Sequence, residues 1–180
     1  MARQLVFELG HRPASGRDDF LVAPSNEAAV ALIDAWPDWP DRIVALSGPA
    51  GSGKTHLAEV WRMASGAVSL APGDLPDADI PALVAQRAII LEDLATLTAE
   101  GERALFHLVN LVRAEEANLL ITSREALARL PLALPDLTSR LKAVPQVELG
   151  APDDALLAGI LVKLFDDRQL RVTPAVIASL

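Results

Sequence analysis

The chain has 180 residues, 51% hydrophobic and 22% charged, enough for one well-buried α/β core and the start of a second unit. Its acids outnumber its basic residues 24 to 16, and a formal net charge of -8 argues against holding nucleic acid mainly through diffuse electrostatics, which needs clustered Lys and Arg, and leaves only local patches open. The absence of cysteine and the scatter of His11, His56 and His107 exclude a disulfide framework and a thiolate metal site, and predict a reducing, cytoplasmic setting.

Residues 1–17 read as an arm. Gln4-Leu5-Val6-Phe7-Glu8-Leu9 is a short apolar patch, and Gly10, Pro13 and Gly16 then interrupt regular structure. By composition alone, the alternation of Leu5, Phe7 and Leu9 favours an edge strand on the domain's own sheet; the alternative is a linear motif held by another protein. No basic region followed by a continuous apolar run opens the chain, and no stretch reaches the roughly 18 to 20 apolar residues that span a bilayer, so neither export nor membrane insertion is expected.

After Asp18 to Val22, an amphipathic helix is predicted from Asn26 to about Ala35, with Ser25 as N-cap and Ala29, Val30, Leu32 and Ile33 facing inward. The stretch from Trp36 to Asp41 (WPDWPD) ends it, and Trp36 and Trp39 read as packing residues. Arg42 to Ser47 reads as a buried strand. Gly48-Pro49-Ala50-Gly51-Ser52-Gly53-Lys54-Thr55 then fits the phosphate-binding loop G-x-x-x-x-G-K-[ST] at every fixed position. A helix from Thr55 to Ala64 follows, with Leu57, Val60, Trp61 and Ala64 on one face.

That order of strand, loop and helix carries a definite chemistry. Gly48, Gly51 and Gly53 let the backbone fold around phosphates without Cβ clashes, so N–H groups and the positive end of the helix dipole meet the anion. Lys54 adds a point charge for the β- and γ-phosphates, the Thr55 hydroxyl can hold Mg²⁺, and Ser52 and His56 stand beside them. ADP or ATP with Mg²⁺ is the expected ligand.

Downstream, Ala67 to Ala71 is predicted as a strand, Pro72 to Pro81 as loop and Ala82 to Gln86 as a brief helical turn. Residues 88–93 form an apolar strand with Glu92 and Asp93 at its carboxyl end, where one acid can hold Mg²⁺ and the other can orient an attacking water. Thr98 to Glu116 reads as a long helix burying Leu105, Leu108, Val109, Leu111 and Val112, with His107 on its polar face. Asn118 to Ser123 is a strand ending in hydroxyls, so Thr122 or Ser123 can face the γ-phosphate or the catalytic water. A short helix at Asp136 to Lys142, a fifth strand at Gln146 to Leu149, and a helix from Pro152 to about Arg168 complete the order, and Thr173-Pro174 opens another helix. The fold class is α/β: a five-stranded parallel sheet between helices, with an arm at 1–17, a nucleotide-binding core at 18–150 and the start of a helical lid at 151–180.

The order of phosphate loop, acidic strand end, hydroxyl-ended strand, Ser139-Arg140 and helical tail resembles an AAA+ ATPase over roughly residues 18–180, and within that family it is similar to DnaA and its relatives. Phe20-Leu21-Val22 followed by Asn26 resembles the segment that packs on adenine, and Leu137-Thr138-Ser139-Arg140-Leu141 resembles the arginine-finger box. The resemblance implies that Arg140 acts in trans, on a nucleotide held by a neighbour. Gln4, Leu5, Phe7 and Leu9 are similar to the motif that bacterial proteins insert into the DNA polymerase III sliding clamp. Together these imply a clamp-tethered regulator whose target is DnaA. They leave room for a homo-oligomer and for little or no direct DNA contact, because Ala71 to Ala88 is too short for the extra helical piece with which DnaA grips single strands. Family members usually order the two acids Asp then Glu. The reversed Glu92-Asp93 implies slow turnover in the chain's own site, with Asp93 and Ser123 the expected catalytic groups there. The lid arginine of the family is expected beyond Leu180. An ATPase motor or loader, and a nucleotide-binding adaptor without hydrolysis, are the alternatives.

Overall fold

The computed structural model describes residues 21–152. The arm motif Gln4, Leu5, Phe7 and Leu9, the adenine-segment residue Phe20 and the expected lid lie outside the described residues.

Five apolar segments pair in parallel as one sheet in the order β2-β3-β4-β1-β5: β1 Ile43–Ser47, β2 Val68–Leu70, β3 Ala88–Leu94, β4 Asn118–Ser123 and β5 Gln146–Glu148. Parallel strands need crossovers, and helices supply them. These are α1 Glu27–Asp34, α2 Lys54–Ser65, α3 Ile80–Val84, α4 Ala99–Ala114 and α5 Pro135–Lys142. Strand side chains alternate between faces. Ile43, Ala45, Ile89, Leu91, Leu119 and Ile121 join α3, α4 and α5 in one core, with Leu105, Leu108, Leu137 and Leu141 fully buried. The opposite face carries Val44, Leu46, Ile90 and Leu120, and buried residues of α1 and α2, among them Val30, Ile33, Leu57 and Trp61, belong to that layer. The continuous apolar runs are thus buried on both sides, as parallel strands require.

Several predicted details change. The N-cap of α1 is Asn26, not Ser25: Ala23 N donates to Asn26 Oδ1 at 2.9 Å, so this side chain closes the turn before the helix. Leu32 is only half-buried, and Ala64 on α2 is exposed while Ala58 takes the inward place. The stretch assigned to loop from Pro72 holds a 3-10 turn (Pro72–Asp77), and α3 starts two residues earlier than predicted. Asp79 causes that early start by accepting from Ala82 N at 3.1 Å, with Pro81 in the first turn where its missing N–H costs nothing. A further 3-10 turn, Leu127–Arg129, had no counterpart in the sequence reading. His107 is exposed and Leu111 half-buried on α4. Trp39 stacks on the buried Trp61 with ring centroids 4.8 Å apart, and Trp36 meets Trp61 edge-on at 6.3 Å, so the turn after α1 packs onto α2 through its tryptophans.

Candidate functional site

The loop from Gly48 to Thr55 leaves the carboxyl end of β1, where ligands bind in open parallel sheets. Gly48 N donates to Ser123 O at 3.2 Å, and Leu149 N donates to Ser47 O at 2.7 Å, so the neighbouring strands hold the loop's root from both sides. Gly48, Gly51 and Gly53 have φ of 149°, 78° and 98°, values that side chains with a Cβ avoid. At Gly48 a Cβ would also run into the Leu149 carbonyl. α2 begins directly afterwards at Lys54 and runs for 12 residues, so its N-terminal amides open toward the concavity.

Lys54 is 8% exposed, and its ammonium donates to Gly48 O at 2.7 Å, to Pro49 O at 2.8 Å and to Ser52 Oγ at 3.4 Å. Burial pushes its pKa below that of an ordinary lysine; the charge of Asp93 works against this and that of Arg124 adds to it. A positive charge held by two loop carbonyls and the Ser52 hydroxyl at the start of α2, with glycines that leave no Cβ in the way, fits a phosphate. Thr55 is exposed at the helix start and His56 half-buried one residue on. Among the described residues no group of three His, Cys, Asp or Glu could hold a metal unaided. Mg²⁺ would therefore need phosphate oxygens beside Thr55 and the β3 acids.

The end of β3 is irregular. Its register against β4 advances three residues, Leu91 to Leu94, while β4 advances two, Ile121 to Ser123. This is a β-bulge, and Asp93 sits in it at φ 52°. Glu92 and Asp93 consequently face different surroundings. Glu92 lies on the α2 side of the sheet by alternation, and its charge helps to raise the pKa of Arg62, after the larger effect of Glu59. Asp93 is the acid whose charge reaches Lys54. Its N–H donates to Thr122 Oγ1 at 2.8 Å, and its carboxylate accepts from Arg124 Nε at 3.3 Å and Nη2 at 3.1 Å. Ser123 is 1% exposed and donates its hydroxyl to Leu94 O at 2.9 Å. Both strand-end hydroxyls thus fasten the bulge of β3 to β4.

The segment before α1 is tied to the same end of the sheet, since Gly150 N donates to Ser25 O at 3.0 Å. Leu21 is half-buried, Val22 is exposed and Asn26 is buried. Arg140 lies elsewhere, on α5, with its guanidinium 5.2 Å from the centroid of the Phe106 ring on α4. Two residues important to these positions escaped the sequence reading. Arg124 follows the strand-end hydroxyls and had no motif to mark it. Glu102 also stands outside any motif; it is 5% exposed and accepts from Ala133 N at 2.9 Å and Leu134 N at 2.8 Å.

No protein-family model matches the chain, and no curated protein matches it by sequence. Solved structures do match. A DNA replication initiation factor superposes with a TM-score of 0.79 at 19% identity, over 94% of this chain and 59% of that one. AMPPCP-bound DnaA from Aquifex aeolicus gives 0.76 at 18% identity, over 93% and 60%. Domain III of the Thermotoga maritima replication initiation protein DnaA gives 0.75 at 18% identity, over 94% and 80%. The chain spans about three-fifths of the length of the first two, at 59% and 60%. It has the α/β fold of the DnaA AAA+ domain, a five-stranded parallel sheet between helices.

Proposed function

We propose that the chain binds ADP or ATP in its own loop and works as Hda does: as a clamp-tethered regulator that shuts off DnaA by making it hydrolyse its bound ATP. The observation that carries this reading is the setting of Arg140. Glu102 fixes the segment that begins α5, and Phe106 supports the guanidinium from one side. Among the described residues no carboxylate neutralises it. A supported, uncompensated guanidinium on a packed helix suits a role on an anion that another molecule brings, where it stabilises charge developing on a γ-phosphate.

The glycine cradle, Lys54 and the start of α2 support nucleotide binding, as does the fold shared with a DnaA that holds AMPPCP. In this reading Thr55 and Glu92 hold Mg²⁺, Asp93 serves slow hydrolysis with Ser123 holding the strand end in place, and Leu21, Val22 and Asn26 flank the base. Gln4, Leu5, Phe7 and Leu9 dock on the sliding clamp. Tethering raises effective concentration, so a weak contact with DnaA becomes productive where a clamp marks active replication.

The test is hydrolysis of DnaA-bound ATP with purified clamp loaded on DNA. Stimulation should require the clamp, vanish with a Gln4→Ala, Leu5→Ala double change, and vanish with Arg140→Ala while nucleotide binding by the variant survives. Unchanged stimulation by Arg140→Ala would refute the mechanism.

A further inference from the structure

We propose that the open edge of β2 and the groove beside it take up an extended segment of another protein, one with apolar side chains at alternate positions and Lys or Arg flanking them on the same face. This goes beyond the role toward DnaA and does not rest on the nucleotide-binding reading.

The edge supplies the main-chain partner. β2 is the outermost strand on its side of the sheet and pairs only with β3 among the described residues. No described loop bonds to the main chain of its three residues, Val68–Leu70, on the outer side, and such an edge is a template for a further strand. Side chains alternate along a strand. Val68 and Leu70 turn toward the core that α4 covers and are half-buried there, while Ser69 is exposed. Between them and α3 lies a groove of about 540 Å³, whose apolar floor continues through the half-buried Ala78 and Leu83. A strand added beside β2 sets every second side chain over this floor, in step with Val68 and Leu70.

Charge selects the kind of segment. Asp74, Asp77 and Asp79 line the same groove and are exposed, and no Lys or Arg lines it. Among the described residues none of the three stands in an ion pair. A nucleic-acid strand would bring phosphates against these carboxylates. A second copy of this chain, pairing β2 with β2, would bring the same three acids. The edge is thus guarded against its own kind and complementary to a basic segment, whose long side chains reach the rim while its apolar ones cover the floor.

The probe is a short fluorescent peptide with Leu at two alternate positions, Lys at the next alternate position on each side and Ser between, titrated by anisotropy at low salt into the full chain. It should bind saturably. Exchange of its Lys for Glu should weaken binding at least about tenfold, and so should moving the two Leu to adjacent positions, which turns one of them away from the floor. The double change Asp74→Asn, Asp77→Asn should weaken the Lys peptide about fivefold, as two exposed charge pairs allow. Asp79 is left in place because it caps α3. Leu70→Ser should weaken the peptide at least about fivefold, and the double Asn variant, altered only on the surface, keeps the test open if Leu70→Ser does not fold. The inference is overturned by absence of saturable binding, by equal affinity for the Glu or adjacent-Leu peptide, by unchanged affinity in the folded variants, or by a single-stranded oligonucleotide that displaces the peptide.

Discussion

Glu102 in the first turn of α4 accepts a hydrogen bond from Leu134 N at 2.8 Å, across 32 positions of sequence, and so fixes where α5 begins. Its other carboxylate oxygen takes Ala133 N. Hydrogen bonds to a buried charge are worth about 1.5 to 3 kcal/mol each, and Glu102→Ala leaves two backbone donors without their acceptor. The variant should lose about 3 kcal/mol in urea unfolding. Its nucleotide affinity should remain, because the loop and β1 are untouched, while any activity that depends on Arg140 falls with the displaced helix.

Gly48 and Gly51 both have left-handed φ, yet their surroundings differ. A Cβ at Gly51 meets nothing within 4 Å, whereas at Gly48 it meets the Leu149 carbonyl and Ser52 Oγ. Gly51→Ala should cost about 1 kcal/mol of backbone strain. Gly48→Ala adds a clash with backbone that cannot move aside, and should cost about 3 kcal/mol, with nucleotide binding lost. Thermal melts of the two variants, compared side by side, read this difference directly.

Lys54 gives a pH dependence of definite sign. Its pKa is lowered in the folded chain, chiefly by burial, so folding disfavours the ammonium and the stability it costs is regained as pH rises through the folded-state pKa. Phosphate binding runs the other way: affinity is full below that pKa and falls as pH rises through it. The loss should begin at a lower pH than a solvent-exposed lysine would give, and Lys54→Arg should move it upward. Lys54→Met should keep the fold within about 1 kcal/mol, since it removes a desolvated charge, and should weaken nucleotide at least about tenfold. Titration of nucleotide affinity against pH for the three proteins checks each statement.

Trp61 is 1% exposed between Trp39 and Trp36, and Trp39 Nε1 donates to Leu32 O at 2.8 Å. Trp61→Ala opens a cavity under this stack and should cost about 3 to 5 kcal/mol. All three tryptophans of the chain stand in this one cluster, so intrinsic fluorescence follows the packing of α2. Chemical unfolding should show one fluorescence transition, coincident with loss of helix by circular dichroism. Separate transitions would mean that the cluster melts on its own.

The parts legible in the sequence are those a few consecutive residues decide. The loop needs glycine where φ is positive and a lysine where the helix starts, so residues 48–55 announce their conformation and their chemistry together. The strands β1, β3 and β4 follow from uninterrupted apolar runs, and Thr98 caps α4 by a local bond to Gly101 N at 3.1 Å. Other residues have roles that no local pattern encodes. Asp93 pairs with Arg124, 31 positions away, only because a bulge offsets β3 against β4. Glu102 finds Ala133 and Leu134 only because α4 and α5 pack on one face of the sheet. Thr122 and Ser123 look free to meet a ligand in the sequence, and strand register turns both hydroxyls onto β3. Sequence by itself determined the phosphate loop and the order of elements, because backbone sterics and side-chain periodicity act over a few residues. Tertiary structure alone decided which charges surround Lys54 and what holds the helix of Arg140, because those partners meet only through the register of the sheet and the packing of helices on it.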